Sequence, residues 1–244
     1  MSTEYLLALV LLIGCCAYAL AAPFWALRRV HQRAQFSEDR SRKQLLRVGL
    51  VAIGWLLLTG MLAGAGFYKD FTGMPPRFFA NIVVPLALVL WVTFSKGLRE
   101  LLPHVPPQWL VYAQAFRIPV EIFLWLLFLD GVAPVQMSYE GLNMDVFSGI
   151  LALPAGWWIA KRKRGWRKVM LAYNVVGMLL LLNILVIAVL SAPLPIRVFM
   201  NEPANTFVTG LPWVYLPALL VVMAYTLHIF SWRWLWITRN RAQV

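Results

Sequence analysis

The fourth apolar run of the sequence carries an arginine, a proline and a glutamate. Arg117 and Glu121 stand four residues apart, so they lie on one helix face, and Gln114 lies on the same stripe. Pro119 lacks an amide hydrogen and therefore bends the helix between them. A charge at membrane depth costs about 2.5 to 3.5 kcal/mol on insertion scales, so it usually faces protein or water and has a partner. The spacing predicts a polar core formed by Gln114, Arg117 and Glu121.

The spacing of Arg117 and Glu121 fits two interpretations. In the first, Glu121 is a proton- or ion-sensitive carboxylate in a polar cavity, tuned by the neighbouring guanidinium group. In the second, the two side chains form a structural ion pair that also satisfies the backbone freed by Pro119. Both arrangements perturb the protonation of a buried carboxylate, so the sequence leaves the choice open.

The composition is that of an integral membrane protein. Of the 244 residues, 61% are hydrophobic and 13% are charged, and the mean hydropathy is +0.71. A soluble domain is about 45–50% apolar and about 25% charged. The net charge of +12 does not indicate nucleic-acid binding, because the basic residues lie in short segments between apolar runs, where orientation signals belong. We therefore expect a lipid bilayer around the chain and no nucleic acid as a partner.

The apolar runs predict an all-α bundle of seven transmembrane helices in a single domain, residues 1–244. The predicted spans are 5–27, 48–67, 78–95, 109–130, 146–160, 169–192 and 211–232. The fifth run is shorter than the roughly 20 residues that a span needs, so whether it crosses fully stays open.

The basic residues predict the orientation of the bundle. Most lysines and arginines follow the first, third, fifth and seventh runs. After the seventh run these are Arg233, Arg239 and Arg241. Cytoplasmic segments carry an excess of lysine and arginine, so the sequence predicts an outer N-terminus and a cytoplasmic C-terminus.

The predicted outer loop, residues 131–145, is the second candidate site. It carries the side-chain acceptors Tyr139, Glu140, Asn143 and Asp145. Alternating acidic and amide oxygens suit a hard cation, but their spacing is not that of an EF-hand. A solvated loop with turn residues explains the same side chains, and Asp145 is also placed to cap the following helix. The loop is therefore a candidate for a ligand or for a protein partner.

No cofactor or metal motif is present in the sequence. Cys15 and Cys16 are adjacent and the three histidines are scattered, so neither set has the spacing of a metal site or of haem ligands. Residues 12–15 resemble a lipoprotein cleavage box, but no basic residue precedes them, and lipidation of Cys15 stays open. No catalytic motif appears, which favours a non-enzymatic function. A lipid-modifying enzyme, whose polar groups would meet from several spans, is the remaining class.

The pattern Gln114-x-x-Arg117-x-Pro-x-Glu121, followed by Glu140-Gly-x-Asn143-x-Asp145, resembles hypothetical multi-pass membrane proteins of bacterial genomes. The resemblance covers about the third to the fifth span and implies no known activity. It implies an integral protein of the bacterial cytoplasmic (inner) membrane.

Two functional hypotheses follow from these patterns. The first is a membrane protein that handles a small solute or ion through the polar core of the fourth span, which predicts that water reaches Glu121. The alternative is a non-catalytic scaffold or sensor, whose loop 131–145 binds a membrane-protein partner or a second copy of the chain. The alternative predicts a dry Arg117–Glu121 pair and copurification of another protein.

Overall fold

The structure is a computed structural model that describes residues 1–73 and 75–239. Within these residues the regular elements are all helical, without any strand. Five helices are long and apolar enough to cross a membrane, or six if a pair bent by 62° counts as one span. The predicted all-α membrane architecture is confirmed at this level, while seven spans and the orientation stay predictions. Arg241, used in the orientation argument, lies outside the described residues.

The α-helices, numbered in chain order, are α1 Thr3–Arg33, α2 Glu38–Gly64, α3 Ala80–Thr93, α4 Lys96–Leu101, α5 Pro107–Tyr112, α6 Arg117–Leu129, α7 Val146–Ala160, α8 Trp166–Leu190 and α9 Val222–Ile237. A π-helix at Leu216–Val221 leads directly into α9. Short 3-10 helices occupy Phe67–Lys69, Arg77–Phe79, Leu102–His104, Ala113–Phe116, Val135–Met137 and Phe207–Thr209.

The first two helices are longer than the apolar runs that predicted them. The basic segment between the runs continues both helices, leaving only residues 34–37 as the connection. Each helix begins at a serine whose hydroxyl accepts a backbone hydrogen bond: Ser2 from the amide of Tyr5, and Ser37 from that of Arg40. Such N-caps satisfy an amide that the first turn would leave unpaired. Arginine and lysine are also good helix formers.

Pro119 acts on the turn that precedes it. Residues 113–116 form a 3-10 helix rather than a continuation of α5, and α6 starts at Arg117. A proline at this position withholds the amide that would bond to the carbonyl of Ala115, so the chain tightens over that turn. At the position of the predicted bend, the structure therefore shows a change of helix type.

One end of the bundle is marked by contacts between tryptophan and arginine side chains, and we call it the basic end. Trp25 of α1 packs against Trp109 of α5 with ring centroids 4.7 Å apart. Trp166 of α8 packs against Trp234 of α9 at 5.9 Å, and the guanidinium group of Arg167 lies over both rings. The end of α1, the start of α5, the start of α8 and the end of α9 therefore meet here.

At the opposite end, the start of α1 meets the end of α6, where the Ser2 hydroxyl donates to the Asp130 carboxylate. The amide of Gln136 donates to the hydroxyl of Ser191, just after α8, at 2.8 Å. Between the two ends, an apolar core of side chains from α1, α6 and the π-helix, such as Leu12, Phe123 and Leu220, holds the bundle together.

Helix α7 is short because it begins inside the bundle. A Cβ atom at Gly149 would lie 2.8 Å from Cγ1 of Ile118, and one at Gly156 would lie 2.6 Å from the ring of Tyr112. These close approaches place α7 antiparallel to α5 and α6, starting beside the first turn of α6. The remaining length of α6 is accompanied by residues 131–145, a segment that is irregular apart from the short 3-10 helix at Val135–Met137.

The segment 131–145 is mostly folded into the bundle rather than solvated. Gln136, Met137, Ser138 and Asn143 are buried. Buried irregular backbone is tolerated only where protein satisfies its polar groups, and here the side-chain amide of Asn143 donates to the carbonyl of Met137 at 3.0 Å. The interpretation of this segment as a solvated loop holds only for its exposed residues.

The contact between α5 and α7 generates a test of this packing. Gly156→Ala places a methyl group against the Tyr112 ring, and overpacking of this kind costs about 1–3 kcal/mol of unfolding free energy. We expect a lower thermal midpoint of the purified protein in detergent. Gly14→Ala is the matched control, because nothing lies within 4 Å of a Cβ at Gly14. An equal loss in both variants would contradict the close approach.

Candidate functional site

Arg117, the first residue of α6, is paired with Asp145 rather than with Glu121. Its Nε donates to Oδ2 of Asp145 at 2.6 Å, and its Nη2 donates to Oδ1 of the same carboxylate. This two-point geometry is the strongest that a guanidinium and a carboxylate form. Arg117 is 2% exposed. The interpretation of Arg117 and Glu121 as an ion pair, one of the two that the sequence left open, is therefore wrong in its partner, since Asp145 occupies the face of the guanidinium group.

The pairing also corrects the role predicted for Asp145. It is the N-cap residue of α7, but its side chain makes no capping hydrogen bond. The carboxylate points to Arg117 instead, and the backbone amide of Asp145 donates to the Asn143 side chain at 3.0 Å. Asp145 therefore brings the start of α7 to the start of α6.

The other donors of Arg117 reach two more helices. Nη1 donates to the hydroxyl of Ser148 on α7 at 2.6 Å and to the carbonyl of Gly177 on α8 at 3.5 Å. It also lies 3.2 Å from Nε2 of His228 on α9. A guanidinium group has five N–H donors and no acceptor, so every one of these contacts is a donation from Arg117. One side chain therefore links α6, α7, α8 and α9.

These contacts define the protonation of His228. Because Arg117 only donates, Nε2 of His228 must accept and carries no hydrogen. The hydrogen then sits on Nδ1, which donates to Oδ1 of Asn174 at 2.8 Å. Asn174 is fixed in turn by its own amide, which donates to the carbonyl of Met170 at 2.7 Å. This chain of donors and acceptors is complete only with a neutral imidazole.

Gly177 lets the helices approach this cluster. A Cβ at this position would lie 2.6 Å from Cε1 of His228 and 2.8 Å from Oγ of Ser148. Any side chain on α8 here would displace the two acceptors of Arg117. The glycine is therefore part of the cluster through its lack of a side chain.

Glu121, one turn after Arg117, has a neutral partner. Its Oε2 accepts a hydrogen bond from the amide of Asn143 at 2.6 Å, and the side chain is 1% exposed. Within the part of the chain that the structure describes, Glu121 forms no salt bridge. The charges of Arg117 and Asp145 cancel, so an ionised Glu121 would leave the cluster with one uncompensated negative charge.

A cavity of about 80 Å³ lies beside these side chains. Its polar lining residues are Arg117, Glu121, Asp145 and Asn205, and its other walls are largely apolar side chains from α3, α6, α8 and the π-helix. Oδ1 of Asn205 is buried without a hydrogen-bond partner among the described residues. Drug-sized ligands need about 300–1,000 Å³, whereas a water needs only about 10–15 Å³ of such space. The cavity fits a few waters or a small ion.

The structure brings together only some of the residues that the sequence predicted as site residues. Asn143 and Asp145 of the loop join Arg117 and Glu121 of the fourth span, so the two candidate sites share one buried cluster. Gln114 is buried close by in sequence but does not line the cavity, and its amide donates to the carbonyl of Ala224 at 3.1 Å.

The other two loop residues, Tyr139 and Glu140, stay exposed. The Tyr139 ring packs against Trp125 at 5.7 Å, and the Trp125 indole donates to Glu140 at 2.6 Å. They form a surface feature on the outside of α6, separate from the buried cluster.

Sequence reasoning missed Ser148, Gly177 and the role of His228 beside Arg117. Asn174 and His228 did carry a signal, because each is a polar residue in an otherwise apolar run. Their spacing along the chain says nothing about their contact, which is formed between α8 and α9.

The fold and the site define an all-helical membrane protein with a buried charged cluster where four of its helices meet. Residues 76–236 match the family model described as a domain of unknown function, DUF8737, and the chain belongs to this family. The matched range contains the whole cluster. Comparison with curated proteins and with solved structures gave no match. The resemblance to bacterial multi-pass proteins stays a prediction, and the family match agrees with its lack of a known activity.

Because Asp145 and Glu121 have different partners, we expect neutralising each of them to lower the free energy of unfolding by a different amount. Asp145→Asn leaves Arg117 buried without its counter-charge, which costs about 3–5 kcal/mol of unfolding free energy. Glu121→Gln keeps an oxygen that accepts from Asn143, so we expect a loss within about 1 kcal/mol. Unfolding of both variants in detergent, followed by circular dichroism, gives the comparison. Equal losses would mean that Arg117 is shared between the two carboxylates.

Proposed function

We propose that the protein handles a small solute or ion inside the membrane, and that this ion is a proton taken up at Glu121. The proposal rests on the different partners of the two carboxylates. Arg117 is paired with Asp145, whereas among the described residues Glu121 accepts a hydrogen bond only from the side-chain amide of Asn143. An isolated carboxylate in an apolar setting is strongly destabilised when ionised, so it binds a cation or a proton. Ionisable residues at membrane depth commonly mark ion pathways and proton relays.

The size and lining of the cavity favour a proton over a larger cation. Larger cations are held by several oxygen ligands, six to eight in the case of calcium. The described residues contain no group of three or more His, Cys, Asp or Glu side chains placed to hold a metal ion. The cavity beside Glu121 also has space for a few waters, which are enough to carry a proton to the carboxylate.

We also propose a seven-crossing topology with the basic end in the cytoplasm. In the proposed topology, α3 and α4 form one bent crossing, and the segment 131–145 together with α7 forms another. Arginines and lysines at the basic end lie over aromatic rings, as in the contact of Lys163 with Trp157 at 3.8 Å, which is typical of a membrane interface. At the opposite end, Arg77 pairs with Asp70 and Arg197 with Glu202. The excess of positive charge at one end fits the cytoplasmic side of a bacterial inner membrane.

Infrared spectroscopy of the protein in liposomes tests proton uptake at Glu121. We expect a band of the protonated carboxyl group that shifts in heavy water and is absent from Glu121→Gln. Proton uptake into the same liposomes, driven by a membrane potential, is expected in the wild type and lost in Glu121→Gln. Glu140→Gln is the matched control, because Glu140 is an exposed carboxylate that contacts Trp125 on the outside of α6, away from the buried cluster.

Two results would contradict the proposal. The first is a wild-type spectrum without any protonated carboxyl band between mildly acidic and neutral pH. The second is proton uptake that is equal in the wild type and in Glu121→Gln, because the carboxylate would then take no part in the movement of the proton.

The proposed orientation predicts which cysteines a membrane-impermeant maleimide reaches in intact cells. In a variant without Cys15 and Cys16, Met200→Cys is expected to react, because Met200 is 70% exposed at the end opposite the basic end. Gln35→Cys lies in the connection between α1 and α2 at the basic end and is expected to react only after the membrane is opened. The reverse pattern would contradict the orientation.

The scaffold or sensor alternative has one observation in its favour. Tyr139 and Glu140 form an exposed pair on Trp125, and Leu142 and Met144 nearby are 47% and 41% exposed. Such a surface suits a membrane-protein partner or a second copy of the chain. Under this alternative, Tyr139→Ala would release a copurifying protein or dissociate an oligomer, while Glu121→Gln would have no effect on either.

A further inference from the structure

A pocket of about 380 Å³ lies at the basic end, between α1 and the start of α5. Its lining residues are Trp25, Arg29, Gln32, Arg33 and Trp109. These side chains offer hydrogen-bond donors, and no carboxylate is among them. The pocket therefore presents positive charge and hydrogen-bond donors.

The aromatic rings hold the two arginines in place. The Arg29 guanidinium lies 5.9 Å from the centroid of the Trp25 ring, and that of Arg33 lies 4.8 Å from the Trp109 ring. The two rings pack against each other at 4.7 Å, so both cation–π contacts belong to one unit. Because Trp109 comes from α5, the pocket depends on the tertiary contact between α1 and α5.

The charge of the two arginines is uncompensated by protein. Arg29 and Arg33 form no ion pair with any residue that the structure describes. They stand four residues apart on α1, a spacing at which like charges repel each other. An anion between the guanidinium groups would remove this repulsion.

We propose that this pocket binds a phosphate group, presented by the headgroup of an anionic phospholipid. A phosphate accepts the parallel pair of N–H bonds that a guanidinium group offers, which a lysine does not reproduce. Tryptophans at a membrane interface lie at the level of the headgroups, so the pocket is at the depth where lipid phosphates occur. Basic pockets between helices are a known form of lipid-headgroup site. The proposal is independent of the proton chemistry at Glu121.

Native mass spectrometry of the full chain in detergent tests this site. The probes are phosphatidylglycerol, phosphatidylcholine as the neutral reference, and inorganic phosphate alone. We expect phosphatidylglycerol to bind more tightly than phosphatidylcholine. The double variant Arg29→Ala, Arg33→Ala is expected to weaken phosphatidylglycerol binding by about tenfold or more, because hydrogen bonds between charged groups are among the stronger ones.

The matched control is Arg42→Ala, Arg47→Ala, which removes the same charge from exposed positions on α2 outside the pocket. We expect its binding of phosphatidylglycerol to stay close to that of the wild type. Glu121→Gln should also bind the lipid normally, which separates this test from that of the proton proposal. The variant Arg29→Lys, Arg33→Lys keeps the charge without the planar donors and is expected to bind more weakly than the wild type.

The outcomes separate the sources of the phosphate. Loss of phosphatidylglycerol binding in the pocket variant alone supports a lipid headgroup. Inorganic phosphate that binds with the same dependence on Arg29 and Arg33 supports the phosphate chemistry with a free anion as its source. Equal weakening in the pocket and control variants would overturn the proposal, because general attraction between charges would then explain the binding. Wild-type binding by the lysine variant would overturn the role of the guanidinium groups.

Discussion

The buried ion pair between Arg117 and Asp145 is the interaction on which the centre of this structure depends. A guanidinium group at this depth must have its charge balanced and its donors satisfied, and the acceptors here come from α7, α8 and α9. Removing the charge from water is costly, so the pair stabilises the fold only when the rest of the cluster is in place. The position of α7, the glycine on α8 and the neutral state of His228 are all consequences of this single requirement.

The pairing of Arg117 with Asp145 also determines which partner is left for Glu121. Asp145 uses the charge of Arg117, so the second carboxylate of the cluster has only an amide as its partner. The two carboxylates are thus chemically unequal, although both lie beside the same arginine. Asp145 forms the ion pair with Arg117, whereas Glu121 lines the cavity.

The sequence predicted the helical membrane architecture, because apolar runs and basic flanks are local properties of the chain. It also predicted Arg117 and Glu121 as central residues, since charges in an apolar run need a special environment. It could not predict the partner of Arg117, because the spacing of four residues to Glu121 competes with a contact across 28 residues to Asp145. Nothing local reveals that α7 begins inside the bundle, or that α8 and α9 bring Asn174 to His228. The basic segment between the first two apolar runs is largely helical. Hydropathy alone does not show this, because a polar segment can be either helix or loop.

The separation of Arg117 from Asp145 along the chain has a consequence for how the protein is made. The ribosome delivers Arg117 well before Asp145, and the acceptors on α8 and α9 follow later still. A helix that entered the lipid alone would carry its guanidinium group unpaired, at a cost of about 2.5 to 3.5 kcal/mol on insertion scales. Helix α6 therefore gains its counter-charge only when Asp145, at the start of α7, has followed it. In this sense α6 and the start of α7 form one unit, because a chain truncated between them keeps the arginine and loses the carboxylate that balances it.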